Sequence, residues 1–163
     1  MSKQRFEQLG APALSALHVD RGGTVLIFPA SVVVAAMEAD GKVAMVRQFR
    51  PSASRMTIEL PGGRIEPAET PEAAAHREFK EETGLRCVGL KRLFKLNMDF
   101  SVSRHETYVL TGRMNLVPRD SAPFELVLLT LTRALAMVTN GSITHAPTVA
   151  AVLWLTRQQR RRR

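Results

Sequence analysis

Cysteine is almost missing from this chain. Cys87 stands alone among 163 residues, which excludes an internal disulfide and any zinc site built from several thiolates, and agrees with a reducing compartment. A buried apolar thiol is the expected state of Cys87. Long hydrophobic runs are missing too: the longest, residues 32–37 and 149–155, fall well short of the roughly 18 apolar residues a membrane-crossing helix needs. The N-terminus has early charge but neither the apolar stretch nor the small-residue cleavage site of a secretory signal, so a cytoplasmic protein is predicted. Aromatics are sparse, with one Trp and one Tyr. Trp154 is the sole aromatic near the basic C-terminus and sits in an apolar helical pattern. Sequence-specific RNA recognition therefore lacks the stacking platform it uses. Repeats and low-complexity tracts are also absent.

What is present suits one globular domain. A hydrophobic fraction of 45% with 23% charged residues can build an ordinary core, and the expected division is a domain over residues 1–156 and an Arg-rich tail over 157–163. Net charge is +8, but Arg157, Arg160, Arg161, Arg162 and Arg163 supply five of those charges. A disordered tail that attracts polyanions nonspecifically or aids solubility accounts for the imbalance.

Mixed elements follow in an order that is not a simple βαβ alternation. Strands are expected at 13–19 and 24–28 around Arg21-Gly22-Gly23, and at 31–37 and 43–49 around Asp40-Gly41. Thr70-Pro71-Glu72 supplies an N-cap, an N1 proline and an acid at the positive end of a helix dipole, and Gly84 supplies the stop. A helix over 71–83 results. Strands at 85–95 and 106–111 enclose a polar loop at 97–103. A strand at 124–129 and a helix at 132–139 follow the loop 118–123, and a last helix is expected from 147 to about 158.

The chemistry is concentrated in residues 63–85, GRIEPAETPEAAAHREFKEETGL. Within it stand Gly63, Glu69, Arg77-Glu78, Glu81-Glu82 and Gly84. On the predicted helix Glu78, Glu81 and Glu82 fall within an arc of about 100°. Like charges at that spacing oppose one another, and Mg²⁺, which shares itself between carboxylates and phosphate, is the economical compensation. Glu-rich helices are common as solvated faces, so the spacing decides. Seven fixed identities at roughly 0.06 each coincide by chance on the order of 10⁻⁹ of the time per window.

This segment matches the Nudix box, and the chain resembles the Nudix hydrolases, particularly the ADP-ribose and nucleoside-diphosphate-sugar pyrophosphatases. Residues 46–50 (VRQFR), 59–63 (ELPGG), Gly141-Ser142-Ile143 and 146–150 extend the resemblance over roughly 32–155. Phe79 departs from the usual aliphatic residue of the box, but as an apolar side chain it can still pack on the sheet. The resemblance implies an α/β fold, an α/β/α sandwich with a mixed sheet. It also implies hydrolysis of the diphosphate bond in a nucleoside diphosphate linked to another moiety, ADP-ribose or a nucleotide sugar. Glu78 and Glu82 would be the main metal ligands, Glu81 a further ligand or the base, and the Gly62 carbonyl another ligand, for Mg²⁺ or Mn²⁺. Gly63 would allow close backbone approach to substrate. Arg50 is the candidate for gripping phosphate through parallel donors. Arg77 either contacts substrate or pairs with Glu69.

Several choices stay open. Relatives of the ADP-ribose type often take their base from a loop after the box, so Glu81, Asp120 and Glu125 all stand as candidates. Such relatives often carry a proline downstream of the box, and Asn97-Met98-Asp99-Phe100 has none, which leaves ADP-ribose and nucleotide sugars level. Phe49, Phe100 and Tyr108 are candidate base-stacking residues or core. His18, His76, His105 and His145 are scattered and are read as surface or core residues rather than ligands. A nucleotide-sensing module without turnover is the alternative, but such modules commonly lose box glutamates. An RNA-end hydrolase or RNA binder using the basic tail is another. Homodimerisation through N-terminal strands is implied by analogy alone, and no membrane partner is expected.

Overall fold

The computed structural model describes residues 16–20, 23–114 and 121–161. The expected first hairpin forms: β1 (Ala16–Asp20) pairs antiparallel with β2 (Gly23–Ile27). β2 also pairs in parallel with the two-residue β8 (Ser103–Arg104), giving a small three-stranded sheet. Residues 13–15 of the expected first strand lie outside the described residues.

The main sheet runs β10 (Glu125–Thr130), β4 (Lys42–Arg50), β3 (Ser31–Met37), β9 (Glu106–Met114), β7 (Cys87–Asn97). Only β3 and β9 among these neighbours are parallel, so the sheet is mixed. Alternation along β3 divides the core. Val32, Val34 and Ala36 pack with Ala74, Ala75 and Phe79 of α1 (Pro71–Thr83). Val33 and Ala35 point the other way, against Leu131 and Ala134 of α2 (Leu131–Thr139) and Ala151, Val152 and Leu155 of α3 (Ala146–Arg161). Both faces are covered, which is why β3 reads as an unbroken apolar run. The result is the α/β/α sandwich that the resemblance implies.

Between β3 and β4 the sheet opens. The two strands meet at Met37 and Val43 and then part. β10 follows one edge of β4, so β5 (Arg55–Glu59) takes the other. β9 follows one edge of β3, so β6 (Gly62–Arg64) takes the other. Leu60 and Pro61 cross the gap, and the Val34 N–H donates to the Pro61 carbonyl at 2.8 Å. Neither β5 nor β6 is expected from the sequence. Pro51 opens a single 3-10 turn, Ser54 follows with φ of 50°, and Pro61-Gly62-Gly63 breaks the remaining stretch. What makes these short segments strands is the pair of vacant edges they fill, which is long-range information.

Helix α1 is bounded as the sequence predicts. Thr70 caps it by accepting from the Ala73 N–H at 3.2 Å, and Gly84, with φ of 68°, closes it by donating to the Lys80 carbonyl. Phe79 is completely buried, so the aromatic that departs from the box pattern is a core residue. Phe79→Ala should cost about 3–5 kcal/mol, read as a lower urea midpoint with an unchanged slope.

The last helix is longer than expected, ending at Arg161 rather than about 158. Arg157, Arg160 and Arg161 therefore ride exposed on its final turns, where positive charge suits the negative end of the helix dipole. The helix thus takes in residues 157–161 of the Arg-rich segment expected as a tail. Cys87 is buried, as expected, and burial pushes its thiol up to about 11. Among the described residues no helix is long and apolar enough to cross a membrane.

Candidate active site

The opened wedge carries a cavity of about 760 Å³. Three elements supply its polar wall: α1 with Glu78 and Glu82, the β5–β6 link with Glu59, Leu60, Gly62 and Gly63, and the segment entering α3 with His145. Arg50, at the end of β4, joins them.

Glu78 and Glu82 are one helical turn apart and share the cavity-facing side of α1. The Gly62 N–H donates to Glu82 Oε2 at 2.9 Å, fixing the helix against β6. Gly63 lies against Glu78: a Cβ there would come within 2.4 Å of the Glu78 carboxylate. Glycine at 63 thus leaves the space the carboxylate occupies, and the demand is steric. Burial pushes the Glu82 carboxyl up to about 7; the neighbouring Glu78 and Glu59 charges add to the rise, while the Gly62 bond and Arg50 oppose it.

Two carboxylates so placed, one of them poorly solvated, fit a divalent cation. Among the described residues no three Asp, Glu, His or Cys side chains converge on one point. A metal held here would complete its shell with backbone oxygen, water and substrate phosphate, the habit of Mg²⁺.

The other box residues face elsewhere. Arg77 donates from Nε and Nη2 to both oxygens of Glu69, at 3.0 and 2.9 Å. It also donates to Glu78 at 2.7 Å, Glu81 at 3.2 Å and the Arg64 carbonyl at 2.9 Å. All five guanidinium N–H donors are thereby taken, so Arg77 ties loop to helix and has none left for substrate. Of its two expected roles the structure shows the pairing with Glu69. Glu81 is on Arg77, with its side chain 59% exposed, and does not line the cavity.

Arg50 does line the cavity, but as half of a pair. Its Nε and Nη2 donate to Glu59 at 2.9 and 2.6 Å. Among the described residues no group bonds Nη1, which leaves its two protons for a ligand. Glu59 is almost wholly buried. Burial alone would raise its carboxyl, yet the bonds from Arg50 and Thr57 and the proximity of His145 outweigh this and hold it below the usual range.

Of the candidate bases, Asp120 lies outside the described residues. Glu125 sits on β10 opposite Arg47, 3.6 Å from its Nη1, and is off the cavity wall. The stacking candidates also lie off it: Phe49 and Phe100 are exposed, and Tyr108 is flanked by Arg92 and Lys95. The aromatic rings on the wall are those of Phe28, Phe124, His105 and His145. His105 is held by Ser31 Oγ at 3.1 Å and is tilted against Phe28 at 5.8 Å; burial lowers its pKa.

Glu59 and His145 are the site residues that sequence reasoning passed over. A glutamate flanked by Ile58 and Leu60 at the buried end of a strand needs a cationic partner, and that signal is available once β5 is seen as a strand. For His145 no comparable signal exists, since its partners come from three separate elements.

A glutamate pair that suits a divalent cation, a free guanidinium edge and an apolar aromatic side in one cavity can accommodate a nucleoside bearing linked phosphates. Comparison with known proteins agrees with this chemistry. The NUDIX domain model matches residues 27–129. The chain is 33% identical over 137 residues to the methanol dehydrogenase activator of Bacillus methanolicus, covering 80% of this chain and 74% of that protein. It is 33% identical over 136 residues to the ADP-ribose pyrophosphatase of Bacillus subtilis (strain 168), covering 78% and 72%. In fold it is similar to a crystal structure of an ADP compounds hydrolase, with a TM-score of 0.70, 22% identity, and coverage of 83% of this chain and 78% of that one.

Proposed function

The chain belongs to the Nudix family and is a hydrolase of the pyrophosphatase kind, and from that premise we propose that it cleaves, with Mg²⁺ or Mn²⁺, the diphosphate bond of a nucleoside diphosphate linked to another group. ADP-ribose is the first choice of substrate and nucleotide sugars the second. The observation that carries this reading is the meeting of Glu78, Glu82 and Arg50 in one cavity of a size that takes a nucleotide-like ligand. The relatives named for ADP-ribose supply the preference.

In this reading Glu78, Glu82 and the Gly62 carbonyl hold the metal. When bound, it polarises phosphoryl oxygens and lowers the cost of charge on the leaving phosphate. Arg50 Nη1 grips a phosphate oxygen, while Glu59 fixes the guanidinium plane that presents it. Gly63 keeps the backbone low enough for Glu78 to stand beside the diphosphate. Phe28, Phe124 and His105 form the side on which a base can rest. Water adds at phosphorus and the bridging oxygen leaves with the departing phosphate. From ADP-ribose the products are AMP and ribose 5-phosphate.

The test is a panel of ADP-ribose, ADP-, GDP- and UDP-sugars, dinucleoside polyphosphates and nucleoside triphosphates, with products identified. Highest kcat/KM on a nucleoside diphosphate linked to a sugar is expected. Turnover confined to triphosphates would refute the substrate class, and binding without turnover would mark a sensing module.

The raised Glu82 carboxyl has a separate, measurable effect. Its folded value of about 7 lies above its ordinary 4.5, so the metal-free native state binds a proton that the unfolded chain releases. That contribution to stability is intact below about 4.5 and is lost as pH rises through 7. With partial solvation the loss is roughly 2 kcal/mol, or about 4–8 °C in Tm. In EDTA, Glu82→Gln should therefore match wild type near pH 5 and exceed its Tm at pH 8. Mg²⁺ should raise the Tm of wild type at pH 8 and leave the variant unmoved. Parallel Tm curves for the two proteins in EDTA would contradict this.

A further inference from the structure

His145 immediately precedes α3 and lines the same cavity as Glu78, Glu82 and Arg50. Its Nδ1 lies 2.9 Å from Thr148 Oγ1 and 3.5 Å from Glu59 Oε2. Thr148 is completely buried, and its Oγ1 already accepts the Leu60 N–H at 2.9 Å. A buried hydroxyl proton needs an acceptor, and Nδ1 is the partner in place to accept it. With Nδ1 accepting the Thr148 proton, the ring proton stands on Nε2. No described group bonds Nε2, and it is not among the buried polar atoms left without a partner, so it is open to the cavity.

We propose that His145 is a substrate-binding residue whose Nε2–H donates to a phosphate oxygen of the diphosphate, beside Arg50 Nη1. The proposal rests on the function proposed above and deepens it. Glu59, which would repel phosphate, is neutralised by its two bonds from Arg50. The charged groups facing His145 are Glu59 from β5 and Arg50 from β4, with Glu82 of α1 interacting with both. Burial lowers the His145 pKa, opposed by Glu59 and reinforced by Arg50, so the ring stays a neutral donor near pH 7. A general base at Nε2 would need the opposite tautomer, leaving the Thr148 proton without its acceptor.

The test uses side chains that reproduce one ring nitrogen each. His145→Asn keeps a polar atom near Nδ1 and deletes the Nε2 contact, whereas His145→Gln places an amide donor near Nε2. His145→Ala is a second deletion, and thermal unfolding verifies that each variant is folded. Hydrolysis of ADP-ribose and calorimetric binding of ADP, both with Mg²⁺, are measured. A hydrogen bond to a charged group corresponds to ~10- to 100-fold in affinity. Asn and Ala should raise KM and the ADP Kd by that factor with kcat changed little, while Gln stays within about 3-fold of wild type on the same scale. Wild-type KM and Kd in Asn would overturn the contact and leave a structural role. Loss of kcat in Gln as well as Asn, together with loss of the acidic limb of the pH profile, would make His145 a base and overturn the donor assignment. A wild-type protein that neither binds ADP nor hydrolyses the panel would instead refute the proposed function, and the contact with it.

Discussion

Glu82→Gln is expected to lower kcat with any cleaved substrate about 10³-fold while the protein remains folded. A metal at a phosphoryl centre supplies several kcal/mol of charge stabilisation, and each 1.36 kcal/mol is about a tenfold change in rate. The glutamine keeps an oxygen in reach of the Gly62 N–H, which now holds Glu82 at 2.9 Å, so the helix stays docked on β6. It removes the negative charge that a cation needs. Glu78→Gln should act in the same direction. Glu81→Gln should cost far less, because its carboxylate is exposed on Arg77 rather than on the cavity wall. A steady-state comparison of the three variants at saturating Mg²⁺ checks this. Equal losses in all three would show that Glu81 turns inward when the metal binds.

The two neighbouring glycines should separate folding from function. A Cβ at Gly62 would stand 2.1 Å from the Val32 carbonyl oxygen and 2.8 Å from Val33 Cα. These are backbone atoms of a central strand and have nowhere to go. Gly62→Ala should therefore cost more than about 4 kcal/mol, at the extreme of single substitutions, and yield little folded protein. The three atoms nearest a Cβ at Gly63 all belong to the Glu78 carboxylate, the end of a flexible side chain. Gly63→Ala should lose within about 1 kcal/mol of stability and yet displace Glu78, lowering kcat roughly 10²-fold through a misplaced ligand. Urea unfolding and kcat measured on the same preparations give both numbers. A Gly62→Ala protein as stable as wild type would mean that β6 is not wedged against β3.

The parts of the molecule visible in the sequence were those fixed locally. Thr70, Pro71 and Gly84 bound α1 through short-range capping, and the spacing of Glu78 and Glu82 on one helix face needs no tertiary knowledge. Apolar, β-branched runs at 31–37 and 43–49 around Asp40-Gly41 mark the central strands for the same reason. What stayed hidden depends on distant partners. β5 and β6 are strands because β3 and β4 diverge. Glu59 belongs to the site because Arg50 reaches back across β4 and β5 to it. His145 belongs through Thr148 and Leu60. For Arg77 the sequence leaves substrate contact and pairing with Glu69 both open, and in the fold five neighbouring acceptors, two of them on Glu69, take its donors.

The most direct test of the cavity as a metal-dependent diphosphatase site is chromatographic product analysis of ADP-ribose incubated with the protein in Mg²⁺ and, in parallel, in excess EDTA. AMP and ribose 5-phosphate in equal amounts, formed with Mg²⁺ and not in EDTA, are the expected result. Turnover that persists undiminished in EDTA would contradict the roles given to Glu78 and Glu82.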